Sequence, residues 1–193
     1  MAILITAFTP FGEDTQNASQ EVLNALPDVL GGVRLEKRLL PVSFRSAPRL
    51  AAEAAERLRP EAIVCLGQAA GRDAVTPERV AVNLMDAAAP DNDGFQPVDE
   101  PVIPSGPAAY FSTLPVKAMV DAMQRAGVPA RLSNTAGTYV CNALMYAMLH
   151  QAGKTPCGFI HVPYLTEQGK GDETPSLSKE SVLRGITACL QTL

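Results

Sequence analysis

The chain has no tryptophan, two histidines and four cysteines among 193 residues, and aromatics make up 5% of it. The four cysteines (Cys65, Cys141, Cys157, Cys189) include no C-x-x-C pair. With only His150 and His161 to join them, a Cys/His zinc site is poorly supported. No apolar run approaches the ~18 residues that a membrane-spanning helix needs. No Lys/Arg cluster is present either. The densest basic stretch, Arg34-Leu35-Glu36-Lys37-Arg38, is short and carries its own Glu, and the net charge is −4. Nucleic acid is therefore not an expected partner. The segment Met1–Thr6 lacks a basic flank and reads as a strand rather than a signal peptide. The expected compartment is the cytoplasm, where the cysteines are free thiols.

What is present is a chain 47% apolar and 19% charged, enough for one core over residues 1–193 without disulfides. Apolar stretches alternate with helical ones. Strands are expected at Met1–Thr6, Val33–Val42, Glu61–Leu66, Val80–Leu84, Ala130–Ser133 and Gly158–Val162. Helices are expected over Ser19–Leu26, Ser46–Leu58, from Ser112-Thr113-Leu114-Pro115 to about Arg125, and from about Tyr139 to His150. A final helix carries Val182, Ile186, Cys189, Leu190 and Leu193 on one face. This alternation predicts an α/β fold, a single-domain α/β/α sandwich around a twisted, mostly parallel sheet.

One long loop stands out. Asp86–Pro107 holds five prolines and five carboxylates and no Lys or Arg. Asp91, Asp93, Gly94 and Glu100 fall at the spacing of a calcium loop, but Ala89 stands at its first position and the prolines forbid the flanking helices. The expectation is a rigid acidic surface or a subunit contact, not a metal site. Gly169 and Gly171 leave open a lid over residues 165–175.

Cys65 and Cys189 read as core thiols. Cys141 follows the small, polar Ser133-Asn134-Thr135-Ala136-Gly137 segment and falls in the first turn of a predicted helix. A helix N-terminus favours thiolate and lowers a thiol's pKa. Composition alone does not separate a nucleophile from a core cysteine here. His161 ends an apolar strand, where α/β folds gather ligands, and His150 ends a helix as a structural residue. A third group should orient the histidine. Glu78 is a candidate, and the residues alone do not choose it over Asp86 or Glu61. Gly67-Gln68-Ala69-Ala70-Gly71-Arg72 follows a strand but lacks the phosphate-loop signatures.

Taken in order, several segments resemble the pyroglutamyl peptidase family, also called pyrrolidone-carboxylate peptidases. They are Phe8-Thr9-Pro10-Phe11-Gly12, Gly67 through Arg72, and Glu78-Arg79-Val80-Ala81-Val82-Asn83. Pro90-Asp91-Asn92, Ala109 through Pro115, Ser133 through Cys141-Asn142, and Phe159-Ile160-His161-Val162-Pro163 continue the series. The resemblance implies a Cys141–His161–Glu78 catalytic set that removes an N-terminal 5-oxoproline from peptides. It implies a pocket formed by Phe8, Phe11, Asn17, Gln68, Tyr139 and Val140, with Ser43 nearby, no cofactor, and a homotetramer. The chain departs from the family's pattern at Ala7 and Glu13, at Ala88 where Arg is common, and at Tyr139 where Phe is common.

The chemistry matches such a substrate. Pyroglutamate is a flat neutral lactam, suited to aromatic walls and amide hydrogen bonds rather than a carboxylate anchor. A Cys141 thiolate would attack, with Glu78 orienting His161 and favouring its charged form. Two alternatives stay open: a Cys–His–Glu amidase or glutamine amide transferase, and a non-catalytic ligand-binding domain on the same scaffold.

Overall fold

The computed structural model describes residues 2–171 and 173–193, so Met1 of the first expected strand and Asp172 of the possible lid lie outside it. In chain order the elements are β1 (Ala2–Phe8), α1 (Ala18–Ala25), β2 (Val29–Leu30), β3 (Val33–Leu40), α2 (Ser46–Leu58) and β4 (Ala62–Gln68). Then come β5 (Thr76–Pro77), β6 (Val80–Val82), β7 (Ala109–Phe111), α3 (Val116–Arg125) and α4 (Val140–Gln151). The chain closes with β8 (Cys157–Val162), β9 (Tyr164–Leu165), a 3-10 turn at Thr166–Gln168, β10 (Ser176–Leu177) and α5 (Lys179–Leu190).

The main sheet runs in the order β2-β3-β1-β4-β8-β5. Its four inner strands, β3, β1, β4 and β8, are parallel, and β2 and β5 pair antiparallel at the edges. Side chains alternate between the two faces of a strand, and each face is covered by helices. On one side Ile3, Ile5, Val64, Leu66, Ile160 and Val162 belong to a core shared with Val22 of α1, Met119 and Met123 of α3, and Val182 and Ile186 of α5. On the other, Leu4, Phe8, Ile63, Cys65 and Phe159 pack with Ala47, Ala51 and Ala54 of α2 and Ala143, Leu144 and Met148 of α4. The expected mostly parallel α/β sandwich is thus the observed architecture.

The helices obey local rules. Asn17 caps α1, its Oδ1 accepting from the Ser19 N–H at 3.0 Å, and so starts that helix one residue before the expected Ser19. Ala47, Ala51 and Ala54 give α2 a small-residue face that lies close on the sheet, and Ala is the best helix former. Buried residues run all round α4 from Asn142 to Leu149. That helix is wedged between the sheet, α2 and the antiparallel β6–β7 pair, which explains its apolar circumference.

One sequence expectation fails. Ala130–Ser133 is not a core strand: it makes only isolated bridges, Val75 with Ala130 and Glu78 with Ser133. Its neighbour there is the short β5 segment, not a sheet interior, because the sheet already ends at β5. The Asp86–Pro107 loop is largely exposed, with one carboxylate turned inward. Asp91 is buried, its Oδ1 accepting from the N–H of Asp93 and of Phe95, each at 2.9 Å, and its Oδ2 from the Phe44 N–H at 2.8 Å. The carboxylate spends its charge on backbone donors and pins the loop to the start of α2.

The chain leaves β1 for β3 on one side and later returns to β4 on the other. Adjacent parallel strands whose connections depart in opposite directions leave a crevice at their carboxyl ends, the usual ligand position in open α/β sheets. Phe8, Gln68 and His161 lie at or near the carboxyl ends of β1, β4 and β8.

Candidate active site

The register of the sheet brings the expected reactive groups together. Gly67 of β4 pairs with His161 of β8, and Cys157, Phe159 and His161 alternate onto the face covered by α2 and α4. On that face the first turn of α4 carries Cys141 up to Gly67. A β-carbon built on Gly67 would meet Cys141 Sγ at 3.1 Å and Phe159 Cζ at 2.6 Å. The absent side chain at Gly67 is thus what lets the thiol, the Phe159 ring and the histidine strand share one small volume. The Phe159 and His161 rings are 4.7 Å apart.

Glu78 arrives from the other side. Its backbone N–H extends the β5–β8 pairing by donating to the Phe159 carbonyl at 2.8 Å. Its side chain is fully buried and meets His161, with Nδ1 to Oε1 at 2.8 Å. An ionised carboxylate only accepts, so the imidazole carries its proton on Nδ1 and leaves Nε2 as the acceptor. Of the three acidic candidates, Glu78 is therefore the one in contact with the histidine. The same Oε1 accepts from Arg72 Nη1 at 2.6 Å, while Oε2 has no hydrogen-bond partner. Arg72 Nη1 also donates to Thr76 Oγ1, and Nη2 donates to the Thr135 carbonyl at 3.1 Å.

The electrostatics correct one expectation. Burial pushes the Cys141 thiol up to about 12, the Glu78 carboxylate adds to that, and Arg72 opposes it. Burial also holds His161 below its ordinary value, although its hydrogen bond to Glu78 and the carboxylate's charge pull the other way. Both directions favour a neutral thiol and a neutral imidazole over a preformed ion pair. A helix N-terminus does favour thiolate, but here packing around the sulfur outweighs it. The other cysteines are buried and free, with Cys65 pushed up to about 11 and Cys189 to about 12 by burial.

The expected pocket residues divide into two groups. Phe8, Phe11 and Tyr139 provide rings. Phe8 is buried beside Phe159, with centroids 6.4 Å apart. Phe11 is 36% exposed and meets Tyr139 edge-on at 5.4 Å. Tyr139, immediately before α4, also packs on Phe44, at 5.1 Å, and donates its hydroxyl to the Pro90 carbonyl at 3.0 Å. Asn92 Nδ2 in turn reaches the Pro10 carbonyl at 3.1 Å. The acidic loop therefore braces both the Phe11 turn and the entry to α4.

Asn17, Gln68, Val140 and Ser43 are engaged within the protein. Asn17 caps α1 and donates Nδ2 to the Thr9 carbonyl at 3.2 Å, which fixes the turn leading to Phe11. Gln68 Oε1 accepts from the Ala18 N–H at 2.8 Å and from Gln168 Nε2 at 3.0 Å. Val140 is fully buried in the core between α4 and α2. Ser43 accepts from the Ser46 N–H at the start of α2 and donates to Asp93 Oδ2 at 2.6 Å. Residues 166–170 lie over the same corner, held by Gln168 and by the Lys170–Asp14 ion pair.

Several participants carried no role in the sequence reading. Arg72 closes the G-x-x-x-G-R segment, and an Arg directly after a loop glycine was the available signal. Asn142, adjacent to Cys141, is fully buried and satisfied by Val82 N–H, Val82 O and Leu84 O, each at 2.9 Å. It ties α4 to the segment that follows Glu78. Ala88 is exposed, and the cation that does stand in the site is Arg72. Among the described residues no group of three or more His, Cys, Asp or Glu side chains is arranged to hold a metal, and no helix is long and apolar enough to cross a membrane. A groove of about 1060 Å³ between α2 and α4 borders Phe44, but its lining does not include Cys141, His161 or Glu78.

Comparison with known proteins gives a consistent answer. A family model described as pyroglutamyl peptidase matches residues 1–193. A pyrrolidone-carboxylate peptidase of Thermococcus onnurineus is 46% identical over 196 residues, covering 100% of this chain and 98% of the relative. One from Escherichia fergusonii is 47% identical, covering 98% and 91%. Among solved structures, pyroglutamyl peptidase I from Bacillus amyloliquefaciens superposes with a TM-score of 0.95 at 39% identity, covering 99% of this chain and 93% of that one. A mutant pyrrolidone carboxyl peptidase from Pyrococcus furiosus gives 0.94 at 39% identity, covering 100% and 97%.

Proposed function

The chain belongs to the pyroglutamyl peptidase family, and from that premise we propose that it is a cysteine peptidase hydrolysing the amide bond after an N-terminal pyroglutamyl residue. The observation that carries the proposal is the convergence of Cys141 and His161 on Gly67, with Glu78 on His161 Nδ1. A thiol, an imidazole with a free nitrogen and an orienting carboxylate are the parts that acyl transfer needs.

The reaction follows from the neutral resting pair. His161 Nε2 takes the thiol proton as Cys141 Sγ attacks the carbonyl carbon of the pyroglutamyl group. The imidazolium so formed is stabilised by Glu78. The oxyanion is held by N–H groups of the first turn of α4, which have no carbonyl partner inside the helix. Collapse breaks the C–N bond, and His161 passes its proton to the departing peptide amine. A water, deprotonated by His161, then attacks the thioester and releases pyroglutamate and the Cys141 thiol. The helix N-terminus contributes most when the sulfur and oxygen carry charge during reaction, rather than at rest.

Phe8, Phe11 and Tyr139 supply apolar walls for the lactam. Asn17 and Gln68 hold the turn and helix that carry those walls, and the backbone at Val140 offers a donor beside the nucleophile. The neutral ring demands no buried counter-charge, and its missing free amine suits a wall without a carboxylate anchor. We further propose that the 193 residues act as one peptidase domain, that the protein needs no cofactor, that it assembles as a homotetramer, and that it works in the cytoplasm, where its four thiols would stay reduced.

The test is turnover of a fluorogenic pyroglutamyl amide under reducing conditions by the wild type and by Cys141→Ala, with a prolyl amide as control. Turnover by the wild type alone, on the pyroglutamyl substrate alone, is the expected result. Equal cleavage of the prolyl amide, or activity surviving in Cys141→Ala, would overturn the proposal.

A further inference from the structure

Arg72 is bound on three sides in a way that a surface cation need not be. It stands on the loop between β4 and β5, reached through Gly71, whose φ of 76° turns the chain in the left-handed region. Its Nη1 donates to Glu78 Oε1 and Thr76 Oγ1, and its Nη2 donates to the Thr135 carbonyl. Thr76 and Glu78 flank Pro77 on the segment paired with β8. Thr135 belongs to the Ser133–Gly137 stretch that leads into α4 and Cys141. There the Thr135 hydroxyl accepts from the Gly137 N–H at 3.1 Å, and Ser133 Oγ donates to the Thr135 carbonyl at 3.0 Å. One guanidinium therefore joins the segment that carries the carboxylate to the segment that carries the nucleophile. A planar fork with several donors can do this, and an ammonium cannot serve the same directions at once.

The placement is also electrostatic. Glu78 is fully buried, and both of its partners share Oε1 while Oε2 is unpartnered. An isolated carboxylate in that position would be costly. It would also bias His161 strongly toward imidazolium and Cys141 strongly toward thiol. The charged and titratable groups facing this pair are Glu78 and Arg72 from the segments around β5, Cys65 from β4, and Tyr139 at the start of α4. Arg72 is the only cation among them. Its charge acts on both members in the same direction, lowering His161 and lowering Cys141.

We propose that Arg72 is a positioning residue of the reaction: by clamping Glu78 and the Thr135 carbonyl together, it fixes the carboxylate–imidazole pair against the nucleophile segment and offsets part of the carboxylate's charge. This rests on the peptidase reading above, so one arm of the test requires no substrate. The hydrogen bonds of Arg72 go to Glu78, Thr76 and Thr135 and not to Cys141 or His161, so it acts through those partners and through its charge.

The experiment compares wild type, Arg72→Gln and Arg72→Lys by the pH dependence of kcat/KM on a pyroglutamyl amide. It adds NMR titration of His161 in a Cys141→Ala background, with and without Arg72→Gln. Loss of the charge in Arg72→Gln moves both limbs of the pH profile to higher pH, and the His161 midpoint rises in the substrate-free titration. Arg72→Lys keeps the charge and loses the fork. Its limbs stay in place while kcat falls roughly tenfold, the scale of one lost charge-assisted hydrogen bond. A merely structural role would lower activity at every pH and leave the limbs and the His161 midpoint unmoved, and that outcome overturns the proposal. If Arg72→Gln does not fold, Arg72→Lys still decides: an unchanged kcat refutes the clamp. A wild type without pyroglutamyl turnover would count against the peptidase reading alone, because the His161 titration reports on Arg72 independently.

Discussion

Replacing Gly67 by Ala should impair catalysis beyond what its effect on stability explains, and the structure gives the reason. The added β-carbon would lie 2.6 Å from Phe159 Cζ, 2.8 Å from Phe159 Cε1 and 3.1 Å from Cys141 Sγ. The Phe159 ring is fully buried between Phe8 and His161, so it cannot swing out to make room. Overpacking of this kind costs about 1–3 kcal/mol, which for a chain of this size lowers Tm by roughly 4–8 °C at the middle of that range. The same methyl presses on the sulfur and on the ring beside His161. A displacement of about 1 Å in a reacting group is worth roughly a hundredfold in rate.

Gly158→Ala provides the control. Its β-carbon would collide with Ser112 Oγ and come within 2.8 Å of Leu114 Cδ1, on the opposite face of the sheet and at the other end of β8. It should lose comparable stability and keep kcat. The assays are thermal or urea unfolding and kcat/KM at a temperature well below both transitions. A Gly67→Ala enzyme with wild-type kcat/KM, or a Gly158→Ala enzyme just as inactive, would refute the argument that Gly67 makes room for the reacting groups.

Other outcomes follow from the same geometry. Glu78→Gln removes the carboxylate that raises both His161 and Cys141, so the acidic limb of kcat/KM should move to lower pH, the opposite direction from Arg72→Gln, while kcat falls. An unmoved or upward-shifted limb would contradict the assignment. Tyr139→Ala removes the ring that packs on Phe11 and Phe44 and should raise KM by roughly tenfold or more, the scale of a lost apolar wall, with a smaller change in kcat; an unchanged KM would remove Tyr139 from the pocket wall. Iodoacetamide on the native protein should modify Cys141, which is half-buried, and spare Cys65, Cys157 and Cys189, which are buried. The rate should climb with pH as thiolate forms, and peptide mapping that finds another cysteine first would contradict the burial pattern.

Much of this arrangement was legible in the residues, and the gaps have physical causes. The alternation of β1, β4 and β8 with the helices is written in apolar runs and period-3.6 faces, so the sandwich could be read directly. Cys141 and His161 could be named because a helix start and a strand end are local features. Their meeting at Gly67 could not, since it depends on the β4–β8 register across some 90 residues of chain. The upward shift of the thiol was not legible for a related reason. A helix N-terminus is visible in sequence, whereas the packing of Phe159 and the β4 strand around the sulfur is not.

Ala130–Ser133 has a strand's composition but finds only an edge neighbour, because β5 has already closed that side of the sheet. Asn17 and Gln68 were expected as polar contacts to substrate; the hydrogen bonds they make within the chain go to α1, to its entry and to Gln168. Polar side chains that frame a pocket look the same in sequence as those that line it.

The central claim is a covalent pyroglutamyl thioester on Cys141. Rapid acid quenching during turnover of a pyroglutamyl amide, followed by mass spectrometry of the digested protein, tests it directly. The account predicts one pyroglutamyl group on the Cys141 peptide, appearing with substrate and absent from a Cys141→Ala digest. Steady turnover with no such adduct under any quench time, or the group on a different residue, would contradict it.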